Sequence, residues 1–143
     1  MAQQINLDTA QRVDITCRRG DTFDMSLTIQ DAAGATALAA DDTFKMEVRV
    51  ADTNDTAYGT TAGDSNDNII LSTLDPSSGA TKRITHDLTG HATGVVTFTT
   101  TAAIMLTRPS GLYVYDIEMT DTSETKVTTL IYGTFKINED VSV

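Results

Sequence analysis

The residues of this chain that could do chemistry lie mostly in its loops. Segment 51–68 carries Asp52, Asn54, Asp55, Asp64, Asn66, Asp67 and Asn68, and such hard oxygens are what calcium collects six to eight of. The glycine and terminal glutamate of an EF-hand are missing from their positions, so a solvated loop is the default reading and calcium the alternative. His86 and His91 are five apart with Gly90 between them and no cysteine nearby, which disfavours zinc and suits a surface turn for one of them. Arg19-Gly20-Asp21 spells an adhesion tripeptide, but it stands between two apparent strands, where Gly20 reads as a bend or bulge. There is no Gly-x-Ser-x-Gly elbow, and the adjacent pair Asp41-Asp42 flanks a strand start. No catalytic residue, cofactor or metal is therefore expected. Carboxylates of the glycosidase kind meet only in space and leave no mark in the sequence.

Tyr113 and Tyr115 have the types for a carbohydrate platform. Alternation places them on one face with Ile117 and Met119, and that assigns them to the core. Tyr113 follows the turn at 109–111, a position from which its hydroxyl can reach back to the main chain at a corner.

The elements that must position these residues read as β. Phe23, Met25, Leu27 and Ile29 alternate with polar residues, as do Phe44, Met46, Val48 and Val50 with Lys45, Glu47 and Arg49, and a period of two puts each apolar set on one face of a strand. The second series has the cleanest one-sided pattern. In Gly111 to Met119, Leu112 and Val114 oppose the tyrosine series, as in a strand buried on both sides for part of its length. Threonine-rich runs such as Thr97 to Thr101 favour a pleated surface, where a branched Cβ costs little. A first strand is expected over Val13 to Arg18, a turn at Asp31 to Gly34, and a hairpin from Ile69-Ile70-Leu71 through Asp75-Pro76-Ser77-Ser78-Gly79 to Thr81–Leu88. Ala35 to Ala40 reads as a helical turn or loose loop. A strand over Val95 to Thr100, a short helical piece at Thr101 to Leu106, and an antiparallel hairpin of 112–120 with 126–138 complete the set. Seven or eight strands at this spacing predict an all-β, immunoglobulin-like antiparallel sandwich, with a jelly roll as the competing architecture.

The 143 residues fit one domain, 13–143, preceded by an extended arm over residues 1–12 in which Ile5 and Leu7 are spaced by polar residues. Ten basic and twenty acidic residues give a net charge of −10, which argues against nucleic acid, whose backbone is bound by exchanging counterions for Lys and Arg. Cys17 is the single cysteine, so packing alone must hold the fold, as for a protein assembled in a reducing cytoplasm. Neither a basic start followed by an apolar run nor a bilayer-length apolar stretch is present, so export and membrane insertion are not expected.

Arg18-x-Gly20-Asp21-Thr22-Phe23, the Asp31-x-x-Gly34 turn, Val48-Arg49, Gly111-x-Tyr113-x-Tyr115-Asp116 and Gly133-x-Phe135-x-Ile137-x-x-Asp140-Val141 occur in that order. Together they resemble the N-terminal β-sandwich domain of tailed-phage baseplate upper proteins. The resemblance covers most of the chain and consists mainly of strand and turn residues. In that family further arms or coiled coil commonly follow, whereas this sequence ends at Val143, which implies an adaptor, ring or decoration subunit. The expectation is a non-enzymatic virion protein of the tail or baseplate, assembled in the host cytoplasm, whose partners are other virion proteins or further copies in an oligomer or ring. It would dock through edge strands and the arm, with Gln3, Gln4, Ile5, Leu7 and Arg12 as contact residues. A capsid decoration protein is one alternative. Another is a carbohydrate or host-receptor module using the projecting hairpin and Asn54, Asp55, Tyr58, Asp64 and Asn66.

Overall fold

The computed structural model describes residues 10–31, 34–35, 38, 42–50, 69–74, 82–121 and 126–141. In chain order the strands are β1 (Gln11–Arg12), β2 (Ile15–Arg18), β3 (Phe23–Thr28), β4 (Gln30–Asp31), β5 (Gly34–Ala35), β6 (Thr43–Arg49), β7 (Ile69–Ser72), β8 (Thr85–Asp87), β9 (Val95–Thr100), β10 (Gly111–Asp121) and β11 (Lys126–Asn138). A short helix, α1 (Ala102–Thr107), and a 3-10 turn at His91–Thr93 are the helical pieces. A mixed six-stranded sheet runs β1-β11-β10-β6-β7 with β2 also on β11, and an antiparallel sheet runs β3-β9-β8. The result is a mostly β, sandwich-like fold.

Period-two patterning explains the core. Phe44, Met46 and Val48 from β6, Tyr113, Tyr115 and Ile117 from β10, and Ile131, Phe135 and Ile137 from β11 meet Phe23, Val96 and Phe98 of the other sheet. Phe135 lies at the centre, edge-on to both Phe23 (centroids 5.3 Å apart) and Tyr115 (6.1 Å). These are the geometries that the ring quadrupoles favour. Burying a side chain of this size contributes about 1.5–3 kcal/mol.

Several expected elements form as read. β10 and β11 make the long antiparallel hairpin, with a register shift between Ile117 and Glu118. β4 and β5 pair antiparallel, with Asp31 opposite Gly34. The helical piece at 102–107 is capped by the Thr101 hydroxyl, which accepts from the Ile104 amide at 3.4 Å. Of the stretch 36–40, only Leu38 lies among the described residues, and it is buried.

Four expectations are corrected. The strand over 13–18 is broken: β1 and β2 both run parallel to β11, with a kink at Val13-Asp14 between them. The 69–88 segment is not a hairpin, because β7 pairs with β6 while β8 pairs with β9 in the other sheet. The two arms touch through one parallel bridge, Ser72 to Arg83. β10 is not buried on both faces, since Leu112 is 65% exposed and the opposite tyrosine face alone enters the core. In β6 the alternation misassigns both ends of the polarity scale: Glu47 is 4% exposed and Val50 is 47% exposed. Val50 falls just beyond the strand, and Glu47 is held by the partners described below.

Candidate functional site

The four sheet edges differ in how well they are closed. Short edge strands, kinks, bulges, Lys and Pro are the usual means of preventing one sheet from pairing with another. β7 spans four residues and β8 three. β7 is further covered where the Ser72 amide donates to the Lys82 carbonyl (2.8 Å) and Ser72 accepts from the Ile84 amide (3.0 Å).

The β1–β2 edge is interrupted by a kink with an identifiable cause. At Val13-Asp14 the chain lifts over Gly133, where a Cβ would overlap the Val13 carbonyl oxygen and stand 2.9 Å from Asp14 Oδ1. Tyr115, the cross-strand partner of Gly133, donates its hydroxyl to the Val13 carbonyl. The Val13 amide donates to the Tyr132 carbonyl (2.9 Å), and the Thr134 amide donates to Asp14 Oδ1 (3.0 Å). The Thr134 amide lowers the Asp14 pKa from its ordinary value, with Arg12 helping. Burial, and then the Asp14 charge, push the Tyr115 hydroxyl up to about 12.

Among the described residues β3 lacks these features. It spans six residues, contains no Pro or Lys, and pairs in unbroken register with β9. Among the described residues nothing pairs with its other side. Its inward residues Met25 and Leu27, with Ile29 beyond, are only partly buried although they pack on the core, so this corner of the sandwich has apolar surface left to cover.

A second polar feature lies on the outer face of the large sheet. Glu47 accepts from Arg49 (3.1 Å) and Ser72 (3.2 Å), and Lys45 bridges to Glu118 (3.2 Å) with Glu47 at 3.9 Å. Asp116, opposite Glu47, has its pKa raised by burial first and then by Glu118 and Glu47, with Lys45 and Arg49 opposing. The pattern Lys45-x-Glu47-x-Arg49 is visible in the sequence as solvent-facing positions, but the Ser72 partner 25 residues away is not.

Of the contact residues expected from sequence, Arg12 is exposed on β1 and pairs with Asp14 at 3.3 Å. Gln3, Gln4, Ile5 and Leu7 lie outside the described residues, as do Asn54, Asp55, Tyr58, Asp64 and Asn66 and the other oxygen ligands of 51–68. Among the described residues no three His, Cys, Asp or Glu side chains cluster as a metal site would require, and no helix is long and apolar enough to cross a membrane.

Tyr113 and Tyr115 are core residues, and Tyr113 donates to the Pro109 carbonyl at 2.7 Å, the corner bond expected from its position. His91 lies in the 3-10 turn and joins the Leu38 carbonyl through Nδ1 at 2.9 Å, whereas His86 stands opposite Phe98 with its pKa lowered first by burial and then by Arg83. In Arg19-Gly20-Asp21, Gly20 has φ 88° in a turn closed by the Asp21 amide on the Arg18 carbonyl (3.2 Å). Arg19 is held by the Leu106 carbonyl (2.9 Å) and Glu139 (2.8 Å), so its guanidinium serves the fold. Comparison of the chain with protein-family models and with curated proteins found no match.

Proposed function

We propose that this chain is a non-enzymatic structural subunit of a tailed-phage virion, an adaptor or ring protein of the tail or baseplate that docks through its strand edges and N-terminal arm. The observation that carries the docking mode is the β3 edge, six residues long and without kink, bulge, Lys or Pro. A bare strand edge offers a row of main-chain donors and acceptors, and addition of a strand from a neighbour satisfies them. Placement in a virion comes from the sequence resemblance, which spans the same strands and turns.

The finer architecture we assign is immunoglobulin-like. In support, the order β1/β2-β11-β10-β6-β7 against β3-β9-β8, with β2 parallel to β11, is compatible with a variable-type sandwich. The Tyr113 bond to Pro109 at the start of β10 corresponds to a tyrosine corner.

Deleting residues 1–9 tests the reading. Gln11 and Arg12, assigned to the arm from sequence, pair with β11, so the cut belongs before Ala10. The truncated protein should keep its unfolding midpoint and fail to enter particles. Normal incorporation would defeat the proposal, and capsid decoration would be distinguished by its far larger copy number.

A further inference from the structure

We infer that the outer face of the large sheet, around the row formed by Tyr132 and Asp116, is a docking surface for a separate protein that presents an arginine or lysine side chain among apolar ones. This surface is distinct from the strand edges and the arm, and its use does not depend on placement in a virion. Register defines it. Tyr115 and Ile117 enter the core, so Asp116 between them points outward, and its partners in register, Tyr132 on β11 and Glu47 on β6, share that face. Along the β10–β11 hairpin the same face carries Leu112, opposite Lys136, and, past the register shift, Val127, opposite Thr120. Leu112 is 65% exposed, Val127 59% and Tyr132 41%. Three large apolar side chains are thus left in water on one face, with a carboxylate in their midst.

Charge selects the occupant. Lys45 is committed to Glu118 (3.2 Å) and Arg49 to Glu47 (3.1 Å), and Arg12, which stands opposite Tyr132 on β1, pairs with Asp14 (3.3 Å). Glu47, Asp116 and Glu118 therefore share two cations, Lys45 and Arg49, and among the described residues no hydrogen bond or salt bridge reaches the Asp116 carboxylate. All ten lysines and arginines and both histidines lie among the described residues, so no other stretch of the chain can bring a cationic side chain to it. Lys136 stands at the Leu112 row, four residues from Asp116 along β10, or about 13 Å at the rise of a strand. A partner's guanidinium or ammonium would complete the charge balance and stack on the Tyr132 ring while apolar contacts close around it, the arrangement found at the centre of protein interfaces. A second copy, with a net charge of −10, is repelled as a whole, which favours a different protein. Asp116 also carries a charge that burial, Glu118 and Glu47 disfavour in the free chain, a cost of the kind retained where a residue serves binding.

The test uses the full chain, isotope-labelled for amide NMR, and two probe peptides: acetyl-Leu-Arg-Leu-amide and the same peptide with citrulline, which keeps the shape of arginine without its charge. Titrated to millimolar concentration at neutral pH and low salt, the arginine peptide should saturably shift the amides of Leu112–Glu118 and of Tyr132. It should bind at least about fivefold more tightly than the citrulline peptide, the scale of one partly exposed ion pair. Asp116→Asn, checked for an intact fold by its unfolding midpoint, should erase that preference, whereas Asp24→Asn on the exposed face of β3 should leave it unchanged. Absence of saturable shifts, equal affinity for the two peptides, a preference that survives Asp116→Asn, or shifts confined to other faces would each overturn the inference. Sedimentation of the chain alone tests the choice of partner: it should remain monomeric through this face, and self-association abolished by Asp116→Asn would give the face to a second copy instead.

Discussion

Gly133→Ala is the sharpest test of how the β1–β2 edge is built. The added methyl would overlap the Val13 carbonyl oxygen and lie 2.9 Å from both the Val13 carbonyl carbon and Asp14 Oδ1. Two of the three atoms are main chain, so the kink itself must move outward. That displacement loosens three hydrogen bonds at once: Tyr115 to the Val13 carbonyl, the Val13 amide to Tyr132, and the Thr134 amide to Asp14. At about 1 kcal/mol net for each, the expected loss is about 3 kcal/mol. An unfolding entropy of about 2.1 cal/mol/K per residue gives roughly 0.3 kcal/mol/K for this chain, so the loss corresponds to about 10 °C in Tm. Thermal unfolding followed by circular dichroism reads it directly. Tyr115→Phe removes one of the three bonds and should lower Tm by about 3 °C, yet have almost no effect in the Gly133→Ala background, where that bond is already broken. A Gly133→Ala protein within about 2 °C of the parent, or additive effects of the two substitutions, would refute the reasoning.

Tyr113→Phe deletes the bond to Pro109 and should cost about 1 kcal/mol, visible as a lower denaturant midpoint at unchanged m. Asp116→Asn should stabilise the fold at neutral pH by a few tenths of a kcal/mol, because burial, Glu118 and Glu47 disfavour its charge. Its folded pKa is raised, so its contribution is complete below the ordinary aspartate value and is lost as pH rises; the advantage of Asn should therefore vanish when unfolding is repeated in acid. The Tyr115 hydroxyl, pushed up to about 12, should leave stability unaffected below about pH 10 and reduce it between there and pH 12, a loss that Tyr115→Phe should diminish in alkaline denaturation curves. Cys17, half-buried with its thiol pushed up to about 11 by burial and then Asp21, should react with a thiol reagent at pH 8 far more slowly than the same residue in the unfolded chain.

Local alternation makes most of the strands legible in the sequence. Phe23 to Ile29, Phe44 to Val48 and Tyr113 to Met119 all enter the core or its margin as their spacing implies, and the turn that precedes Tyr113 places it at its corner. The errors arise where the deciding contact is remote. Glu47 is buried because Ser72 and Arg49 hold its carboxylate, and nothing near residue 47 announces Ser72. The kink at Val13-Asp14 depends on Gly133, some 120 residues later, so the first strand reads as continuous. The turn residues of 75–79 suggest a hairpin, but a turn signal does not say whether the returning strand stays in the same sheet. That no described strand pairs with the outer side of β3 follows from sheet order, which has no local signature.

Quantitative mass spectrometry of purified phage particles, giving copies of this chain relative to the major capsid protein, tests the central claim most directly. A tail or baseplate adaptor should be present at several to a few dozen copies per particle, falling to none when residues 1–9 are deleted. Absence of the intact chain from the particle would contradict the account.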